Sequence, residues 1–187
     1  MNTYTISKKE FLPKQNHAYI IGIDPGTKNG VAIYDSTDKI YIFAKTFEFW
    51  ELFDFLSTLS EYPITYVIVI EDIIANKPTF QRGMLWSASA SKRKDQLGQA
   101  IGIFDKLAQD VGGNKRDEHH ILEWFHLRNI PVMKRAPKKN SKTKLAHDEF
   151  MELTHIKTRL NEHTRDAIML IYTSLQDPEQ MKMFEDI

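Results

Sequence analysis

Ala18-Tyr19-Ile20-Ile21-Gly22-Ile23, stopped by Asp24-Pro25-Gly26-Thr27, is the stretch on which the fold turns. Unbroken apolar character over so few residues suits a central strand buried on both faces, because a half-exposed strand would alternate. Working outward, Val31-Ala32-Ile33-Tyr34 and Ile40-Tyr41-Ile42-Phe43 predict two more strands. Asp35-Ser36-Thr37-Asp38 supplies turn chemistry between them, so the pair reads as a hairpin. Residues 47–60 place Phe49, Leu52, Phe53, Leu56 and Leu59 at helical spacing, and Pro63 blocks continuation. Tyr66-Val67-Ile68-Val69-Ile70 is a second buried-strand run, ending at Glu71-Asp72.

A polar stretch follows over 76–91, of a length that in a compact domain is usually functional or mobile. Helical spacing returns over 93–111, closed by Gly112-Gly113 as a C-terminal cap. The pattern then predicts a helix over 117–128, a short strand over 130–133, and helices near 142–154 and 161–175. A hairpin-led meander followed by crossovers gives an α/β domain, a mixed sheet with helices on its faces. The first and fourth strands run parallel as neighbours, joined by the helix at 47–60. Their carboxyl ends, where ligand sites of open α/β sheets lie, carry Asp24 and Glu71.

The chain has 187 residues, with 42% apolar and 27% charged, the balance of an ordinary globule rather than a disordered chain. One domain at 17–176 is expected, after a lead-in at 1–16 that is an arm or an extra strand, and before an acidic tail at 177–187. Cysteine is absent, which excludes disulfide scaffolds, thiolate zinc sites and thiol catalysis. No apolar run approaches a membrane span, and the first residues lack a secretory pattern, so a cytoplasmic location is expected.

Twenty-five basic and 25 acidic residues cancel, but their distribution is uneven. Lys134, Arg135, Lys138, Lys139, Lys142 and Lys144 fall in one acid-free run. Lys92, Arg93 and Lys94 form a second group, preceded by Lys77 and Arg82 in a stretch free of acids. The plain reading is two solvated loops; the functional one is two phosphate-contacting edges, since affinity for DNA comes largely from Lys and Arg.

Acids often end strands because solvent begins there. On adjacent strands, however, two close carboxylates repel unless a cation lies between them, and Mg²⁺ prefers such oxygen ligands. Strand alternation sends Asp72 to the face opposite Glu71, so only one of them can share Asp24's site, and Glu71 is the partner expected because it directly ends the apolar run. Glu162-His163-Thr164-Arg165-Asp166 opens the last helix. His163 and Asp166 are three apart and share a face, at the end where the helix dipole favours a carboxylate. Glu162 is the alternative to His163, about 100° away on the helix. The plain reading is a dipole complement beside a solvated histidine.

Four segments together resemble the RuvC family of Holliday junction resolvases. They are Gly22-Ile23-Asp24-Pro25-Gly26-Thr27, Val69-Ile70-Glu71, Leu97-Gly98-Gln99-Ala100-Ile101-Gly102 and His163-x-x-Asp166-Ala167. The resemblance spans roughly 18–175 and implies an RNase H-like mixed five-stranded sheet flanked by helices. It implies Asp24, Glu71, His163 and Asp166 as metal ligands for two Mg²⁺ ions, with Mn²⁺ as a substitute; members carry Asp or His at the position of His163. It places Lys144, or Lys142, near the scissile phosphate. It further implies a homodimer acting on branched DNA, the four-way junction, by Mg²⁺-dependent phosphodiester hydrolysis in recombination and repair.

The chain departs from the family in a longer segment between Glu71 and Leu97, and in Ile74 where members often place an aromatic. Phe80 and Trp86 are then either junction wedges or packing anchors. Trp124 and Phe125 are either dimer anchors or part of the monomer core. Rival functions are an RNase H-like nuclease for other branched DNA or for RNA (YqgF-like), and an inactive branched-DNA-binding module.

Overall fold

The structure, a computed structural model, describes residues 6–8, 10–73, 109, 112–135, 145 and 147–177. Five strands form one sheet: β1 (Ala18–Asp24), β2 (Asn29–Asp35), β3 (Ile40–Phe47), β4 (Thr65–Glu71) and β5 (Val132–Arg135). Their order across the sheet is β3-β2-β1-β4-β5. β2 runs antiparallel to β1 and β3, whereas β4 is parallel to β1 and β5 to β4. The predicted hairpin and the parallel central pair are both present, and the sheet is the mixed five-stranded sheet of an α/β protein. Helix α1 (Phe49–Ser60) joins β3 to β4. Helical residues 112–126, here α2, lead to β5, and α3 (His147–Thr154) and α4 (Glu162–Leu175) complete the chain.

The sheet has a core on each face. Tyr19, Ile21 and Ile23 of β1 point to the face covered by α1 and α2, packing with Leu52, Leu56, Ile121 and Phe125. Ile20 of β1, with Val67 and Val69 of β4, points to the face covered by α3 and α4, packing with Phe150, Ile168 and Ile171. Burial on both sides explains why these strands read as continuous apolar runs. Phe125 is fully buried in the first core and Trp124 is partly buried against it. That corrects the dimer-anchor expectation for Phe125, whose ring belongs to the monomer.

Three further expectations need restating. Gly112 and Gly113 do not cap a helix: both are helical, and no described glycine has a positive φ, so the left-handed cap is not formed there. The helix expected at 93–111 lies outside the described residues apart from residue 109, and of the helix expected at 142–154 the part from His147 is described. The lead-in resolves toward a strand at one point. Ser7 makes a parallel bridge to Phe43, with its N–H donating to the Ile42 carbonyl and its carbonyl accepting from the Ala44 N–H. No helix among the described residues is long and apolar enough to cross a membrane.

α4 is seated by two glycines. A Cβ at Gly22 would overlap the carbonyl oxygen of Ala167 and stand 2.9 Å from Ile171 Cγ1; one at Gly30 would overlap the carbonyl of His163. The sheet therefore meets the helix backbone directly. Asn161 fixes where that helix begins: its Oδ1 accepts from the Thr164 N–H at 3.0 Å, and its Nδ2 donates to Thr46 Oγ1 of β3 at 2.6 Å.

Gly30→Ala is expected to cost about 1–3 kcal/mol or more in urea denaturation, because the colliding atom is backbone and cannot rotate away. Gly112→Ala, where an added Cβ meets nothing within 4 Å, is expected to stabilise by up to about 1 kcal/mol through helix propensity. Equal effects at the two positions would contradict this account of the seating.

Candidate metal and nucleic-acid site

The β1–β4 register fixes the first two acids. Ile23 pairs with Ile70, and both side chains lie in the core beneath α1. One residue further on, Asp24 and Glu71 therefore share the opposite face, the one α4 covers. Asp24 is nearly buried, 6% exposed, and is paired across β2 with Gly30. Glu71 is half-buried at the end of β4, opposite Arg135 of β5. Asp72 leaves the sheet, its N–H donating to the Arg135 carbonyl at 2.8 Å.

α4 brings the other two. Because Gly30 admits the His163 backbone, the imidazole reaches Asp24, with Nδ1 3.2 Å from Oδ2. Gly26 leaves room on the other side, where a Cβ would be 3.7 Å from the ring. The hydrogen bond to Asp24 is the main cause holding the His163 pKa above its ordinary 6.5. Burial opposes it, and the charges of Asp24, Glu162 and Asp166 reinforce it. Asp166 lies one helical turn on and half-buried. Glu162, by contrast, is exposed, its carboxylate 4.0 Å from His163 Nε2, so the working face carries His163 and Asp166.

Asp24 and His163 are thus in contact, Asp166 is within electrostatic reach of the imidazole, and the strand register sets Glu71 beside Asp24. The donor set, three carboxylates and an imidazole around a buried strand end, has the hard-oxygen character that suits Mg²⁺ or Mn²⁺. Asp24, Glu71, His163 and Asp166 are not drawn to within 4.8 Å of one another as a ligand set. Among the described residues, the set with all ligand atoms within 4.8 Å of one another is His17, Asp35 and Asp38, at the opposite end of the sheet.

The basic residues divide. Arg135 is buried, 8% exposed, and its Nη1 donates to Ser174 Oγ at 3.0 Å. This corrects its expected place on a phosphate-contacting edge, because the alternation of a short strand turns it inward onto α4. Lys134, its neighbour, points outward and pairs at 3.4 Å with the buried carboxylate of Glu118 on α2. Lys77, Arg82, Lys92, Arg93, Lys94, Lys138, Lys139, Lys142 and Lys144 lie outside the described residues, as do Phe80 and Trp86.

The sequence reading passed over Lys28 and Asn161. Lys28 follows the Asp-Pro-Gly-Thr turn, more than half exposed and paired with Glu48 at 3.0 Å; its position directly after a candidate site turn was the available signal. Asn161 carried the ordinary signature of a capping residue, Asn-x-x-Thr ahead of an apolar helix.

Fold and site together define an α/β protein with a mixed five-stranded sheet whose central strand ends in Asp24, held against His163. Among solved structures the chain is similar to T. thermophilus RuvC in complex with a Holliday junction substrate, with TM-score 0.43 and 13% identity. That alignment covers 83% of this chain and 92% of the other. No family model matches the chain, and no curated protein does.

In metal-free protein, an NMR titration of His163 is expected to give a midpoint above 6.5 that falls in Asp24→Asn. A raised pKa means the pair contributes its full stability below about pH 6.5 and loses it as pH rises through the folded-state value. A midpoint unchanged by Asp24→Asn would show that the hydrogen bond is not the cause.

Proposed function

We propose that the chain is a metal-dependent, structure-specific endonuclease that cuts branched DNA, with the four-way junction as its substrate. The observation that carries this reading is the gathering of Asp24, Glu71, His163 and Asp166 at one end and on one face of the sheet. Residues scattered over 143 positions of sequence, from 24 to 166, are brought there by a strand register and a helix seat.

Asp24, Glu71 and Asp166 are the oxygen donors for Mg²⁺, and His163 either ligates or positions the attacking water. Bound Mg²⁺ would lower the pKa of that water and offset charge building on the phosphate and the leaving 3′ oxygen. Asp24 is the most constrained of these groups: buried, at the end of a central strand, and oriented by the imidazole. In the metal-free state the His163 imidazole, its pKa raised mainly by this hydrogen bond, stands against that buried carboxylate. Lys144 or Lys142 is assigned to the scissile phosphate, where a cation offsets developing charge.

A four-way junction is close to two-fold symmetric, so a C2 dimer would put one site on each of two opposed strands. The products are then paired symmetric nicks. Mobile four-way junction, flap, duplex and structured RNA, each with and without Mg²⁺, separate this reading from its rivals. Paired nicks on the junction alone are expected, abolished without Mg²⁺. They should fall by more than about 100-fold in Asp24→Asn, since a direct ligand costs at least what its outer hydrogen-bond partner does. Equal cutting of every substrate would instead identify a general RNase H-like nuclease. Binding of the junction without cleavage would identify a recognition module.

A further inference from the structure

The end of the sheet opposite Asp24 holds a second set of ligand-type side chains. His17 immediately precedes β1, Asp35 closes β2, and Asp38 lies in the turn to β3. His17 Nδ1 is 2.8 Å from Asp35 Oδ2 and 4.0 Å from Asp38 Oδ2, and one ligand atom from each residue lies within 4.8 Å of both others. Donors about 2.1 Å from a tetrahedral ion stand about 3.4 Å apart. The observed triangle is therefore of the size one first-row cation spans after small side-chain adjustments.

Asp35 is fully buried, and its Oδ1 accepts from the N–H groups of Thr37 and Asp38, each at 3.0 Å. Those contacts fix the carboxylate and leave Oδ2 turned toward His17, the kind of support a ligating carboxylate commonly has. The His17 side chain is largely covered, and Asp38 is the exposed third donor. A positive group already stands among them: the Lys14 ammonium is paired with Asp38 Oδ2, at the end of an exposed side chain. An exposed ion pair of that kind contributes little and is readily displaced.

We propose that His17, Asp35 and Asp38 form a binding site for a first-row divalent cation, and that Lys14 is the group the cation displaces. One imidazole nitrogen and two carboxylate oxygens match Zn²⁺ best. The site pins the segment before β1 to the β2–β3 turn. It lies about 20 Å along β1 from Asp24, at about 3.3 Å per strand residue, and is independent of the nuclease reading.

The test is calorimetric titration of ZnCl₂ alone into the full chain, with circular dichroism confirming that each variant is folded. One tight Zn²⁺ per chain is expected, retained in Asp24→Asn. It should weaken by at least about tenfold in His17→Gln and in Asp38→Asn, and tighten in Lys14→Met. The thermal midpoint should rise with Zn²⁺ in the parent and not in His17→Gln. Asp38 is exposed, so Asp38→Asn decides the matter even if His17→Gln fails to fold. Absence of tight binding, binding unchanged in Asp38→Asn, or binding lost in Asp24→Asn would each overturn the assignment. Binding unchanged in a folded His17→Gln would likewise overturn it. Affinity unchanged in Lys14→Met would overturn the displacement of Lys14.

Discussion

The backbone of α4 lies against the sheet at Gly22 and Gly30 with no side chain between them, and the candidate site is built on that approach. Packed elements normally meet through interlocking side chains. Here the carbonyls of His163 and Ala167 occupy the space where two Cβ atoms would be. The reward is geometric: the first turn of the helix comes down at the end of β1, and the imidazole of His163 reaches a carboxylate that the sheet has buried. Asn161 holds the same turn from outside, through Thr164 on the helix and Thr46 on β3.

A buried Asp24 is costly unless positive charge stands beside it. The fold answers locally with His163, and more distantly it spends its other buried charges on structure. Arg135 is turned onto Ser174, with burial lowering its pKa and the charge of Asp177 opposing that shift. Glu118 is buried beneath Lys134. These groups show that a cation in a basic run need not face a nucleic acid. The run from Lys134 to Lys144 begins on β5, where Lys134 pairs with α2 from the surface and Arg135 is buried against α4.

Much of this was legible in the sequence, for identifiable reasons. Apolar runs of strand length at 18–23 and 66–70 have one good reading, a strand covered on both faces, and the hairpin between 31 and 43 carries its own turn residues. Glu71 stood apart from Asp72 because it directly ends the apolar run, and alternation allows only one of the two on the face of Asp24. What misled was local chemistry with two uses. A Gly-Gly pair serves a left-handed cap or sits in a helix, and the choice depends on backbone angles that composition does not encode. Arg135 read as part of a charged loop because four strand residues are too few to show alternation. Phe125 read as surface or core equally well, until α1 was seen packed against it. The second cluster, His17 with Asp35 and Asp38, was illegible for another reason: its members meet only through the β1–β2 register, which pairs Tyr19 with Asp35.

The central claim is that β1, β4 and α4 converge on one cation-binding centre, and a crystal grown with Mn²⁺ and measured at the manganese edge tests it most directly. The account predicts anomalous density bound by Asp24 together with Glu71 or Asp166, with His163 beside it. Manganese absent from that strand end, with the carboxylates of residues 24, 71 and 166 held apart and α4 still seated on Gly22 and Gly30, would contradict it.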